Sequence, residues 1–288
     1  MGSAQIAVLP LQSHVMAVAE PVPDRPRASG SASGSAADPT LAPGCGRCKN
    51  AAALDFEFTF AYQPIVQLST RSVYAHEALV RGPNGESAAS VLAQVNDDTR
   101  YSFDQACRVQ AIRGAAALGM QESLSINFLP NAVYQPKACI QSTFEAARTY
   151  GFPIERIIFE VTEGEQVQDR PHLVNIFREY SRFGFRTAID DFGAGYAGLS
   201  LLSEYQPDIV KIDMELVRDV DRNLPKQAIV RGILSMCQAL DVQVLAEGIE
   251  TIAERNFLRD AGVDLMQGYF FCKPAFKALG RVESAAFD

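Results

Sequence analysis

The chain has no tryptophan, three histidines and six cysteines among 288 residues. Six cysteines in a chain this long do not make a disulfide scaffold. Cys107, Cys139, Cys237 and Cys272 each stand alone inside an apolar element and read as buried structural thiols. The histidines are scattered: His14 lies near the start, His76 beside Glu77, and His172 at the start of a helical pattern. A histidine-based zinc site needs several such ligands in one place, so that chemistry is excluded. No apolar run approaches 18 residues, which argues against a membrane span. The start, broken by Pro10, Gln12, Ser13 and His14, lacks a basic segment and does not read as a secretion signal. A cytoplasmic, reducing location is the expectation. There is no lysine- or arginine-rich run, and 26 basic against 34 acidic residues give a net charge of −8. A protein that coats polymeric nucleic acid is therefore not expected, although a small phosphorylated ligand needs just a few local cations.

What is present falls into two parts. Between Pro21 and Gly46, 18 of 26 residues are Pro, Gly, Ser or Ala. Such a segment buries too little apolar surface to offset its ordering entropy. Residues 1–53 read as a disordered tail and 54–288 as one folded domain. The tail carries Cys45 and Cys48 in a CxxC spacing. No second pair or nearby histidine completes a zinc site there, and two exposed thiols are the plainer reading.

From about Phe56 onward, short β-branched runs alternate with helical patterns. The strand candidates are 62–68, 73–80, 124–129, 156–161, 186–191, 208–213, 242–248 and 264–271. Helical periodicity covers 103–118, 138–150, 168–183, 226–240 and 251–261. Gly119, Gly151, Gly184 and Gly262 stand where helices should stop before the next strand. Eight strands with helical crossovers predict an α/β fold, a (β/α)8 barrel. Four residues separate the first two strands, too few for a parallel crossover. The first strand should therefore run antiparallel to its neighbour. An open doubly wound sheet would need a glycine-rich phosphate loop after an early strand, and the chain has none.

In such a barrel, function collects at the C-terminal ends of the strands. Those ends carry Glu77, Asn127, Glu160, Asp190, Asp191, Lys211, Asp213, Glu247 and Gln267. Taken singly, each has a structural explanation: Lys211 and Asp213 could be an ion pair, and Asp190–Asp191 a strand exit. Together, so many carboxylates aimed at one mouth would repel one another. Bound hard cations such as Mg2+ or Mn2+ resolve this, because Asp, Glu and Asn supply oxygen ligands.

At these positions the chain resembles the EAL-domain cyclic-di-GMP phosphodiesterases. The resemblance rests on Glu77-Ala78-Leu79-Val80-Arg81, Ser125-Ile126-Asn127, Phe159-Glu160-Val161-Thr162-Glu163 and Asp190-Asp191-Phe192-Gly193-Ala194-Gly195-Tyr196. It continues with Lys211-Ile212-Asp213, Ala246-Glu247-Gly248-Ile249-Glu250-Thr251 and Gln267-Gly268-Tyr269. It implies metal-dependent hydrolysis of cyclic-di-GMP to linear pGpG. Glu77, Asn127, Glu160, Asp190 and Asp191 would hold two divalent cations, Mg2+ or Mn2+. Lys211 would stabilise the attacking water and the phosphate. Glu247 would be the general base or a further metal-shell group. Arg81, with Leu79, Gln267 and Asp213, would serve the substrate, and Glu163 and Glu250 would support loops. A homodimer built through residues 193–225 is also implied. The chain departs from the family pattern at Gly82, where many members carry tryptophan, and at Ala197-Gly198, where serines are common. Two rivals remain: a non-catalytic module of the same family that binds cyclic-di-GMP or a protein, and an unrelated magnesium-dependent barrel enzyme.

Overall fold

The structure is a computed structural model, and it describes residues 53–162, 169–195 and 198–288. The tail with Cys45 and Cys48, the loop position Glu163, and Tyr196 and Ala197 lie outside the described residues.

The domain starts with a hairpin. Strand β1 (Thr59–Gln67) pairs antiparallel with β2 (Ser72–Arg81). The connection is as short as the sequence requires. It is tied from below by the Asp264 carboxylate, which accepts the backbone N–H of Ser69 at 2.7 Å and the Gln67 amide at 2.8 Å. From β2 onward every neighbour is parallel: β3 (Ser123–Asn127), β4 (Ile157–Thr162), β5 (Arg186–Phe192), β6 (Ile209–Ile212), β7 (Gln243–Ala246) and β8 (Leu265–Met266). Strand β1 pairs with both β2 and β8, which closes the eight strands into a ring. A ninth strand, β9 (Ala275–Phe276), adds to β1 at Ala61 and Tyr62.

The connecting helices are α1 (Ala88–Leu92), α2 (Arg100–Ala117), α3 (Pro136–Cys139), α4 (Gln141–Tyr150), α5 (Arg170–Arg182), α6 (Gly198–Glu204), α7 (Met214–Val217), α8 (Leu224–Ala239) and α9 (Ile252–Asp260). Their starts follow from capping chemistry. Asp169, Asn223 and Thr251 each accept a backbone N–H of the first turn, and Thr251 forms a capping box with Glu254. Their ends follow from glycine: Gly119, Gly151, Gly184 and Gly262 all have positive φ. No helix among the described residues is long and apolar enough to cross a membrane.

Three expectations shift. The strand expected over 264–271 is two residues long. After Met266 the chain turns inward, and Gly268 sits so close to Ile249 that a Cβ there would lie 2.1 Å from its carbonyl oxygen. The helix expected over 138–150 is two helices, α3 and α4, meeting at Ile140. The short helices α1, α6 and α7 are too brief to show a period in sequence.

Strand alternation sorts the core. One face packs on the helices. The other fills the lumen with a layer of Ile65, Ala75, Ile158, Ala188, Ile209, Leu245 and Leu265. Side chains two residues along share that face. The next layer on the parallel strands is therefore Glu77, Glu160, Asp190, Lys211, Glu247 and Gln267: an apolar floor under a polar mouth.

Candidate active site and metal centre

Lys211 stands at the centre of that mouth. Its side chain is 1% exposed, and Nζ lies 2.8 Å from Glu247, 3.1 Å from Asp190, 3.2 Å from Glu160 and 3.9 Å from Glu77. Strand β6 delivers it there because Ile209, two residues earlier, belongs to the lumen floor. Asp213 is not its partner among the described residues. It caps α7 instead, accepting the Glu215 N–H at 2.8 Å. The simple Lys211–Asp213 ion pair is thereby ruled out.

Neutral groups orient the carboxylates. Ser125 donates to Glu160 at 2.6 Å, and Gln267 donates to Glu77 at 2.8 Å. The Asn127 amide nitrogen bridges Glu160 at 2.7 Å and Glu77 at 3.2 Å. Ser125 stands in the Ser125-Ile126-Asn127 motif, yet residue type alone assigns it no role. The signal was there, since it lies two residues before Asn127 and shares its face.

Asp190 and Asp191 are adjacent in sequence, yet both face the mouth. The register of β5 slips between Ile189 and Phe192, and Asp191 has φ of +53°. A bulge of this kind re-aims a side chain at a barrel rim. Carboxylate oxygens then gather in two groups, Glu77–Glu160–Asp190 and Asp190–Asp191–Glu247, each spanning no more than 4.8 Å. Asp190 belongs to both.

The electrostatics are strained. Four carboxyl groups surround one ammonium, which cannot balance them all when they are ionised. Burial pushes Glu160 well above the ordinary glutamate range, and the charges of Glu77 and Asp190 add to it despite Lys211. Burial does the same to Glu247, reinforced by Asp190 and Glu77. Asp191 rises to about 6 through burial and the neighbouring Asp190 and Asp213. Burial also opposes ionisation of Asp190, yet Lys211 and hydrogen bonds hold it below its ordinary value. Lys211 itself stays charged against its burial because four carboxylates surround it.

Divalent cations fit this site. The converging donors are oxygens, as hard cations prefer. The excess charge is of the sign that cations relieve, and the buried Oε1 of Gln267 has no hydrogen-bond partner.

Beside the mouth is a cleft of about 240 Å3 whose lining includes Leu79, Met214, Glu250 and Tyr269. The guanidinium of Arg81 does not reach the carboxylates. It donates to the carbonyl of its neighbour Val80 at 2.7 Å. Glu250 is held by Arg218 through two contacts of 2.6 and 2.8 Å. Glu254 accepts the backbone N–H groups of Asp219, Glu250 and Thr251, which knots the loop after β7 to the segment after β6. At the departure Gly82, the chain folds back on Glu86, whose Oε2 would lie 2.2 Å from any Cβ there.

A family model described as "EAL domain" matches residues 49–274. Among solved structures, a standalone versatile EAL protein of Vibrio cholerae O395, in its c-di-GMP-bound form, superposes with a TM-score of 0.80. It is 52% identical and covers 82% of this chain and 100% of that one. The manganese and cyclic-di-GMP complex of Klebsiella pneumoniae BlrP1 at pH 9.0 gives a TM-score of 0.73 at 35% identity, over 81% of this chain and 59% of that one. The blue light- and temperature-regulated antirepressor BluF of Escherichia coli K12 is 34% identical over 215 residues, 74% of this chain and 53% of BluF. The cyclic di-GMP phosphodiesterase PdeR of the same organism is 36% identical over 115 residues, 40% of this chain and 17% of PdeR. The chain spans about half or less of the length of these curated relatives. With residues 49–274 matched by that family model, the chain belongs to the EAL domain family.

Proposed function

We propose that this chain hydrolyses one phosphodiester bond of cyclic-di-GMP, giving linear pGpG, with the help of two divalent cations, Mg2+ or Mn2+. The observation that carries the reading is the pair of carboxylate groups that share Asp190 around Lys211. Glu77, Asn127, Glu160, Asp190 and Asp191 would hold the cations, with Glu247 at the edge of the second group. Bound there, the cations would lower the pKa of a water and offset the charge of the phosphate.

The chain's own residues supply the rest. Lys211 is held charged by the surrounding carboxylates and is pre-positioned, so it can stabilise charge growing on the phosphoryl oxygens without reorganisation. Glu247 sits 2.8 Å from Lys211 with a raised pKa, which suits a group that accepts a proton from water. Gln267, Ser125 and Asn127 hold carboxylates in place before substrate arrives. Leu79 lines the cleft, and Arg81 would have to release the Val80 carbonyl to reach a substrate phosphate. Asp213, which caps α7, would serve the substrate side. Glu250 and Glu163 would steady the loops. The domain would work in the cytoplasm as a homodimer through residues 193–225, where Leu199 and Leu224 are exposed.

The test is incubation of the protein with cyclic-di-GMP and Mg2+ or Mn2+, following pGpG by chromatography, with a chelator control and Glu77→Ala alongside. Metal-dependent pGpG is the expected result. Cyclic-di-GMP binding with no product would instead place the chain among non-catalytic receptors.

A further inference from the structure

Behind the mouth, outside the lumen, lies a buried ion pair that the proposed reaction does not use. Helix α2 carries Asp104 and Arg108 one turn apart, 2% and 0% exposed, with an Nη2–Oδ2 distance of 2.9 Å. Removing two charges from water is costly, and replacing such a pair by apolar side chains is often neutral or stabilising. Stability alone therefore does not account for it.

What the pair touches does. Asp104 accepts the Leu129 backbone N–H at 2.9 Å. Arg108 donates to the Tyr180 hydroxyl at 2.7 Å, and its guanidinium carbon lies 5.6 Å from the Phe128 ring centre and 5.0 Å from that of Phe159. Phe128 and Leu129 follow Asn127, and Phe159 precedes Glu160. On a strand, a side chain fixed on the outer face fixes the rotation of its inward neighbour. Asn127 and Glu160 are themselves register partners in contact at 2.7 Å. The pair thus holds the outer neighbours on both sides of one contact in the mouth. A cavity of about 300 Å3 also opens beside Asn127, Phe128 and Leu129. Beside that cavity the Asp104 carboxylate holds the Leu129 N–H, alongside the bond from the Phe128 N–H to the Glu160 carbonyl at 3.1 Å.

We infer that Asp104 and Arg108 are positioning residues that set the cation affinity of the Glu77–Glu160–Asp190 group. The inference rests on the metal-dependent reading above. The experiment is calorimetric titration of the full chain, freed of metal, with Mn2+, together with thermal melting and steady-state turnover of cyclic-di-GMP at several Mn2+ concentrations. The double variant Asp104→Leu/Arg108→Met should melt within a few degrees of wild type, yet bind Mn2+ at least tenfold more weakly. Its kcat should recover in excess Mn2+, a response that a purely structural defect would not show. Asp104→Asn keeps an acceptor for Leu129 and should stay within threefold of wild type. A folded double variant with wild-type Mn2+ affinity would overturn the inference. If the double variant does not fold, Tyr180→Phe decides, because it removes just the hydroxyl that Arg108 holds. A twofold or greater loss of Mn2+ affinity then supports the inference, and an unchanged affinity overturns it. Failure of the wild-type chain to bind Mn2+ would count against the metal reading itself.

Discussion

At the scale of single residues, the proposed reaction gives Lys211 and Glu247 different tasks. Four carboxylates hold Lys211 charged against its burial, while burial pushes the Glu247 carboxyl above its ordinary value. Replacing Glu247 by Gln keeps size and hydrogen bonding and removes the basic oxygen. Turnover of cyclic-di-GMP should fall about 10²- to 10⁴-fold, the usual weight of a positioned base. Binding of the dinucleotide, measured by calorimetry, should change little. A variant with near-normal turnover would take the base role away from Glu247. Most of this mouth was legible in the chain, because period-2 alternation puts Glu77, Glu160 and Lys211 on one face of their strands. Two things were not. Asp191 itself was read at a strand end, but the bulge that turns it to the mouth beside Asp190 leaves no mark in residue type. Arg81 turns to the Val80 carbonyl, a choice of rotamer that spacing does not reveal.

At the scale of elements, two joints hold the barrel in register. The first is Asp264, which fastens the β1–β2 turn to the start of β8. Its hydrogen bonds to Gln67 and Ser69 hold its carboxyl below the ordinary aspartate value, against partial burial. A depressed native pKa means that the unfolded chain binds the proton more readily, so this stabilisation exists at neutral pH and fades as pH falls through the native value. Asp264→Ala should lower stability by about 1–3 kcal/mol near pH 7. In melts run from pH 7 down to pH 3, the gap from wild type should narrow below about pH 4. A gap that stayed constant with pH would mean the carboxylate charge is irrelevant to the turn. The second joint is Gly268 against Ile249. The added methyl of Gly268→Ala would meet backbone on that side, so the loop carrying Glu247 and Glu250 must shift. A stability loss of about 1–3 kcal/mol is expected, with turnover falling as well. Here the sequence misled: the apolar run 264–271 reads as a strand, but Gly268 makes possible a close backbone approach that turns the chain after Met266. Hairpin and helix ends were legible for the opposite reason. A four-residue connection and glycines at helix stops are local facts, and local facts survive folding.

At the scale of the whole molecule, the ring of strands encloses charge that it cannot neutralise alone. The floor of Ile158, Leu245 and their neighbours is apolar, so it offers the carboxylates above it no hydrogen-bond donors. One buried ammonium answers four of them. Binding of cations to the native mouth, and not to the unfolded chain, should therefore stabilise the entire barrel. At a free Mn2+ concentration 100 times its dissociation constant, linkage gives about 2.7 kcal/mol. For a barrel of this size that corresponds to a rise in Tm of roughly 5–10 °C over the chelated protein. Lys211→Met sharpens the test. Without its ammonium the metal-free mouth carries unrelieved charge, so the variant should melt well below wild type in chelator. Cations should then recover more stability in the variant than in wild type, because they take over the neutralisation that Lys211 supplied. Melting both proteins with chelator and with Mn2+ reads the two differences directly. Equal Mn2+ shifts in the two proteins would mean that Lys211 and the cations act independently, and that the excess charge is relieved by protons on Glu160 and Glu247 instead.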